Sequence, residues 1–213
     1  FNMPKSTKWS WQAEMKSVPD FKSISPKQIN ITINKKNNGY GYGLFVNVPR
    51  VKIPIPLFVL FRAFGIISDK LICRYIVNDF DEMLVDTLKA SIVDACNYTT
   101  KEDAMDFITS NVIFVPINMD KETGMQKKRA YAEDIIENDI FPHNKTTTQK
   151  VFYLGYMANR IIQTSMGMIA QTDRDSYINK RIDSTGSLLN NLFRNYFNKL
   201  VKDTQKQIVR EIN

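Results

Sequence analysis

The spacing of apolar residues near the amino terminus follows a period of two. Trp9 to Met15 and Ile29 to Ile33 both alternate with polar positions, which predicts half-buried strands. Lys35 to Gly39 is rich in turn-forming residues, and a return strand is expected near Leu44 to Val48. Residues 1–55 are therefore expected to form antiparallel strands. One face of the first strand would carry Trp9, Trp11, Ala13 and Met15.

From Pro56 onward the apolar spacing becomes that of helices. The predicted helices are Leu57–Phe64, one capped by Ser68 and reaching Ile76, Asp79–Cys96, one capped by Thr99 or Thr100, Asp120–Ile140 and Thr147–Ala170. Apolar residues surround the last of these nearly completely, so it is predicted to be the central buried helix, with Gly155 permitting close packing. The apolar side of Asp79–Cys96 is expected to include Met83, Leu84, Leu88, Ile92 and Cys96. The fold class is α+β, with amino-terminal antiparallel strands packed on a mostly helical remainder.

A dense block of alternating charges precedes the last amphipathic stretch of the chain. The block contains Asp173, Arg174, Asp175, Lys180, Arg181 and Asp183. Ser184 or Thr185 can cap the helix that follows, whose apolar side repeats at helical spacing from Leu189 to Leu200. Two interpretations stay open from these residues alone. The block locks itself by internal ion pairs, or it presents lysine and arginine to an anion.

The net charge of +7 over 213 residues is unevenly distributed. Residues 1–62 carry a net charge of +8, residues 63–148 carry −6, and residues 149–213 carry +5. A nucleic-acid contact confined to one face would produce such a distribution. An acidic helical layer lying on a basic sheet layer would produce it equally well.

Most catalytic and ligand-binding chemistries find no support in the sequence. His143 is the only histidine and is expected to be structural or solvent-facing, while Cys73 and Cys96 lack metal-ligand spacing and indicate reduced thiols. The glycines from Gly39 to Gly43 do not have the spacing of a phosphate loop and indicate a hairpin tip. The longest apolar run, Ile53 to Phe61, is too short to cross a bilayer. No metal site and no catalytic residue are predicted.

Three stretches together resemble the second-largest subunit of multisubunit DNA-directed RNA polymerases. Asp173 to Arg194 is similar to the segment where that subunit's lobe domain ends. Ile53 to Asp69 resembles the family's IPI…FRALG…D motif, and Tyr153 to Arg160, YLGYMANR, resembles its LGYM.NR motif. The three lie in the family's order, and the resemblance covers nearly the whole chain. Ser176 stands where the family usually has histidine, and Ile178 where it usually has glycine.

The resemblance implies a lobe domain over residues 1–183, followed by a helix over 184–213 that leads toward the rest of a longer subunit. Within it, residues 1–55 would be strands, 56–171 helical and 172–183 a charged loop. The lobe would form a wall of the DNA cleft and contact the DNA backbone near the transcription bubble during transcription. The catalytic magnesium would be held by the largest subunit, so the chain alone is expected to need no cofactor and to be inactive.

The resemblance also implies partners and a cellular setting. They are DNA, the largest subunit, a small zinc-containing subunit and transcription factors, with no membrane. The alternative is a protein-interaction module that docks other subunits or factors without touching DNA. The expected location is the nucleus or cytoplasm; the composition, rich in lysine and asparagine, resembles that of large DNA viruses, for which it would be a cytoplasmic virus factory or the virion.

Two sets of site residues follow from these considerations. DNA contact is assigned to basic residues in or after the charged block: Lys180, Arg181, Arg194, Lys199 and Lys202. Structural ion pairs are assigned to charged residues in apolar or mixed-charge surroundings: Arg62, Arg160, Asp173, Arg174, Asp175 and Asp183.

Overall fold

A computed structural model describes residues 2–3, 7–18, 26–77, 82–114 and 120–212 of the chain. It contains two compact units, residues 1–172 and residues 173–213. The charged loop therefore groups with the last helix. The first unit contains an antiparallel sheet and six helices within its described residues, in agreement with the predicted α+β class.

The sheet has four strands in the order β1-β2-β3-β4, each antiparallel to its neighbour. The strands are β1 Trp9–Lys16, β2 Gln28–Asn37, β3 Tyr42–Asn47 and β4 Ile55–Pro56. The alternating isoleucines of β2 supply the core face, because Ile29, Ile31 and Ile33 are all buried. Ile31 lies opposite Val46, and Ile33 lies opposite Leu44, so the same face continues across β3. The predicted strands of residues 1–55 are thus confirmed where the structure describes them.

A bulge in β1 corrects one detail of the predicted alternation. The register between β1 and β2 shifts between Trp9 and Gln12, so Trp9 lies opposite Asn34 rather than one residue further along. One extra residue moves a side chain to the other face of a sheet. Trp11 packs against the core, whereas the ring of Trp9 lies on the outer face beside Phe45, with centroids 5.7 Å apart.

The hairpin tip between β2 and β3 uses its glycine amides internally. Gly39 and Gly41 adopt positive φ angles of 101° and 133°. The backbone amides of both glycines donate to the side-chain oxygen of Asn37, at 2.7 Å and 3.0 Å. Because these amides are occupied, the tip is built as a turn and does not offer them to a phosphate.

Helices make up the rest of the described chain. They are α1 Leu57–Ala63, α2 Asp69–Ile76, α3 Glu82–Asp94, α4 Lys101–Asn111, α5 Lys121–Asp134, α6 Thr147–Ser165 and α7 Thr185–Ile212. The helix predicted over 120–140 changes its winding, since α5 continues into a π-helical turn at Ile135–Asp139. The Thr100 hydroxyl caps α4, accepting from the Asp103 amide while the Asp103 carboxylate accepts from the Thr100 amide.

Helices α6 and α3 differ from their predicted burial, whereas every residue of α1 is buried. The predicted central helix, α6, is buried along one side only, because Phe152 and Tyr156 are each 57% exposed. On α3, Leu84 and Leu88 are buried as predicted, whereas Met83 is 62% exposed. The sheet covers one side of α6 and α2 covers another, with a smaller contact from α3.

A buried carboxylate joins the sheet to the π-helical turn. The Asp139 carboxylate is ion-paired with Arg50, which follows β3, and lies 3.4 Å from the ammonium of Lys27, which precedes β2. Lys150, on the first turns of α6, donates its ammonium hydrogens to the backbone carbonyls of Ile136 and Glu137. Burial lowers the pKa of the Lys150 ammonium below its ordinary value.

Candidate nucleic-acid interface

The charged loop of the second unit is organised by its own side chains. The backbone amide of Asp175 donates to the Asp173 carboxylate at 2.9 Å, and the Asn179 side chain donates to the Asp173 carbonyl at 2.7 Å. The ammonium of Lys180 lies 3.1 Å from the Asp175 carboxylate. A short 3-10 turn at Tyr177–Asn179 connects these contacts. The loop thus contains one of the internal ion pairs that its alternating charges suggest.

Lys180 therefore fits both predicted roles of the loop, because it forms an internal ion pair and is exposed enough to contact an anion. Its side chain is 51% exposed, and that of Asp175 is 87% exposed. An ion pair this open to water contributes little to stability and is easily exchanged for another anion. Arg174 and Arg181 also have polar or electrostatic partners in the structure.

The polar side of α7 carries a stripe of lysines. Ser184 directly precedes the helix, and its hydroxyl lies 3.1 Å from the Ser187 hydroxyl. Asn195, Lys199, Lys202 and Lys206 are spaced four, three and four residues apart, so they lie along one side of a helix. None of the helix is buried. We call these four residues the α7 basic stripe.

The sequence predicted Lys199 and Lys202 as DNA contacts but not Lys206. Lys206 follows Lys202 by four residues, so helical spacing places it on the same side. Lys206 lies 4.0 Å from the Asp203 carboxylate, and both side chains are more than half exposed. Arg194 lies about 80° around the helix axis from Lys202, at the edge of the polar side. It is also less exposed than the lysines of the stripe.

The opposite side of α7 is apolar, as its periodicity predicts. Leu189, Phe193, Tyr196 and Leu200 recur along it. The Phe193 and Phe197 rings stack with centroids 5.9 Å apart and an interplanar angle of 20°. The helix therefore presents a basic side and an aromatic, apolar side.

Arg62, predicted to form a structural ion pair, is buried at the end of α1 with three polar partners. One guanidinium nitrogen donates to the backbone carbonyls of Ala95 and Tyr98, at 2.7 Å and 2.6 Å. The other lies 2.5 Å from the Asp69 carboxylate. The arginine and aspartate of the IPIPLFVLFRAFGIISD stretch are thus the two ends of one ion pair, which ties α1 to α2 and to the end of α3.

Arg160 differs from its predicted environment. It lies on the open side of α6, four residues after the exposed Tyr156, rather than in apolar surroundings. Neither Arg160 nor Asp183 has an ion-pair partner within the residues that the structure describes.

The loop aspartates have polar partners within the loop itself. Asp175 is ion-paired with Lys180, and the Asp173 carboxylate accepts a backbone amide. Across the described ranges no group of three histidine, cysteine or acidic side chains is placed to hold a metal. His143 is exposed and touches the Tyr153 ring, with centroids 4.9 Å apart.

Within the described residues, a sheet-and-helix unit is thus followed in the chain by a charged loop and by a helix with a basic stripe. Residues 15–183 match the family described as RNA polymerase Rpb2, domain 2. The chain belongs to this family. The match ends at Asp183, the last residue before the segment that leads into α7.

Relatives from eukaryotes and archaea agree with the family. The chain is 32% identical over 212 residues to DNA-directed RNA polymerase II subunit RPB2 of Encephalitozoon cuniculi, covering 98% of this chain and 18% of that protein. It is 28% identical over 217 residues to DNA-directed RNA polymerase II subunit 2 of Arabidopsis thaliana, with the same coverages. It is 32% identical over 190 residues to DNA-directed RNA polymerase subunit Rpo2 of Saccharolobus solfataricus, covering 87% of this chain and 16% of that protein. The chain thus spans less than a fifth of the length of these relatives.

These cellular relatives lend no support to a viral source. No helix in the described part of the chain has the length and apolar character needed to cross a membrane.

Proposed function

We propose that this chain forms part of the wall of the DNA channel in a DNA-directed RNA polymerase and holds the DNA backbone without reading its sequence. Family membership supports the polymerase setting. The α7 basic stripe is the observation that supports backbone contact, because its lysines are exposed along one side of a helix.

The spacing of the stripe suits a phosphate chain. Lys199 to Lys206 rises about 10 Å along the helix axis, a length that spans about three phosphates of one DNA strand. Each lysine that meets a phosphate releases counterions and carries no information about the base. A polymerase passes over every sequence, so contacts of this kind hold DNA without stopping it.

The charged loop extends the same surface within the second unit. Lys180 and Arg181 precede α7, and the exposed pair of Lys180 with Asp175 can exchange one anion for another. Arg194 is the sixth proposed contact and lies at the edge of the polar side of α7. We assign the strongest contribution to Lys199, Lys202 and Lys206.

Membership in a polymerase leads us to propose partners and a location for the chain. The chain would act beside the largest subunit, which would hold the catalytic magnesium, and beside a small zinc-containing subunit and transcription factors. The names of the relatives support membership in a complex, since each is a polymerase subunit. For a eukaryotic source the location would be the nucleus.

A direct binding measurement tests the proposal. The 213-residue chain would be titrated into two short fluorescent duplexes of unrelated sequence. Nonspecific backbone contact predicts equal affinities within the roughly 10⁻⁴–10⁻⁶ M range. A clear preference for one sequence would contradict it. Absence of binding to both duplexes would favour the second candidate, protein docking without DNA contact, which the acidic charge of residues 63–148 supports.

A further inference from the structure

An aromatic groove lies open between two helices of the first unit. It is lined by Leu71, Arg74 and Tyr75 of α2 and by Phe152 of α6. The Tyr75 and Phe152 rings meet edge to face, with centroids 5.0 Å apart and an interplanar angle of 80°. Leu71 is 40% exposed and Phe152 is 57% exposed. Adjacent exposed apolar side chains with a polar border are typical of docking surfaces.

The two helices that form the groove are fixed against each other. Gly155 lets α6 approach the backbone of α2, because a Cβ at this position would lie 2.3 Å from the carbonyl oxygen of Tyr75. One turn further, the Asn159 side chain donates to the Ile76 carbonyl at 2.8 Å. The groove is therefore preformed, and a ligand would not have to order it.

The charges on these helices are strongly one-sided. Lys70, Arg74 and Arg160 are exposed, and none of them forms an ion pair with another described residue. Asp69 is the only acidic residue on α2, and α6 has none. The guanidinium of Arg62 already engages Asp69. The border of the groove is thus positive and lacks compensating acids on its own helices.

We propose that this groove binds an acidic amphipathic helix of a partner protein. Apolar side chains of the partner would pack against Leu71, Tyr75 and Phe152, and its carboxylates would face the exposed cations of α2, Lys70 and Arg74. A helix laid into an apolar groove is a recurring mode of peptide recognition. Opposite charges around such a groove give orientation and specificity.

The same groove suits single-stranded nucleic acid less well. Bases stack on aromatic rings whose faces are open. Here the Tyr75 and Phe152 rings pack edge to face on each other, and Tyr75 is only half-exposed. Leu71 offers no surface for stacking. The observations therefore favour an acidic protein segment.

The test uses the 213-residue chain and a fluorescent helical peptide of about 15 residues, with leucine and phenylalanine at three-to-four spacing and glutamates on both flanks. A second peptide carries lysine in place of glutamate, and an oligothymidylate of matched length serves as the nucleic-acid probe. The variants are Lys70→Glu and Phe152→Ala. Their matched controls lie on α5, where Lys127→Glu and Met125→Ala change exposed side chains outside the groove.

The proposal predicts binding of the acidic peptide and not of the basic one. Lys70→Glu should weaken binding about tenfold through like-charge repulsion. Phe152→Ala should weaken it about thirtyfold, the effect of losing one aromatic anchor. Both controls should bind as the parent chain does. Equal affinity in all four variants, no binding of the acidic peptide, or binding only of oligothymidylate that Phe152→Ala abolishes would each overturn the proposal.

Discussion

Gly155 of α6 lies against the backbone of Tyr75, so closely that a Cβ on Gly155 would stand 2.3 Å from the Tyr75 carbonyl oxygen. The carbonyl belongs to the last turn of α2 and cannot move aside as a flexible side chain would. The glycine of the YLGYMANR stretch is therefore a packing requirement of the fold.

Gly155→Ala is expected to destabilise the first unit by about 1–3 kcal/mol, the usual cost of overpacking. The ~1 kcal/mol that alanine gains over glycine inside a helix offsets only part of this cost, because the clash is with backbone atoms. Urea denaturation of the chain measures the change. Gly186→Ala is the control, because a Cβ at Gly186 meets nothing within 4 Å; an equal or greater stability of Gly155→Ala relative to the parent would refute the packing argument.

The buried carboxylate of Asp139 should be essential to the first unit. Asp139→Ala would leave Arg50 and Lys27 without their shared partner, and breaking a buried pair from one side costs about 3–5 kcal/mol. Thermal denaturation should therefore show a large drop in Tm. The matched control is Asp86→Ala, which removes an exposed pair with Lys89 and should change stability by less than about 1 kcal/mol. Comparable losses of stability from the two substitutions would show that the buried ion pair stabilises the chain no more than the exposed one does.

The capping box of α4 gives a pH-dependent prediction. Hydrogen bonds from Thr100 lower the pKa of the Asp103 carboxyl from its ordinary 3.8. The folded state thus favours the ionised form of Asp103. The stabilisation that this carboxylate contributes to folding is therefore fully present above pH 3.8, and it is lost as the pH falls through the lower pKa of the folded state. The parent chain should be more stable than Asp103→Ala at neutral pH, and the difference should shrink in acid. A stability difference that stays constant from neutral pH to pH 3 would contradict the assignment.

The chain by itself is expected not to polymerise nucleotides, because no catalytic metal site is proposed for it. Incubation with a template, a primer, nucleotides and magnesium should give no template-dependent product above background. The control is a complete cellular RNA polymerase in the same assay. Extension of the primer by a pure preparation of this chain would require a different account of the family resemblance.

Short sequence patterns predicted many of the strands and helices because contacts between residues close in sequence determine these elements. The alternation of Ile29, Ile31 and Ile33 and the Thr100 cap depend on neighbours a few residues away. The position of Trp9 depends on a bulge, which alternation alone does not reveal. The exposure of Phe152 depends on which sides of α6 other elements cover, and no pattern within α6 contains that information.

The sequence also predicted part of the candidate site, namely the side of α7 that carries the lysines. Helical spacing places Lys199 and Lys202 on one side, and the same rule extended to Lys206 completes the stripe. The conformation of the loop determines which acidic residue pairs with Lys180. The sequence does not contain that conformation, and the structure shows that the partner is Asp175. The groove between α2 and α6 joins residues about 80 positions apart in sequence, so it could not be found from either helix alone.

The central claim, that the α7 basic stripe holds the DNA backbone, is tested most directly by the salt dependence of duplex binding. The chain and a variant with Lys199→Ala, Lys202→Ala and Lys206→Ala would be compared over a series of salt concentrations, with Lys121→Ala/Lys127→Ala on α5 as the control. Each lost phosphate contact lowers the slope of log affinity against log salt by about 0.9, so the triple variant should lose roughly 2 to 3 units of slope equally on unrelated sequences. An unchanged slope in the triple variant, with the fold intact by circular dichroism, would contradict the claim.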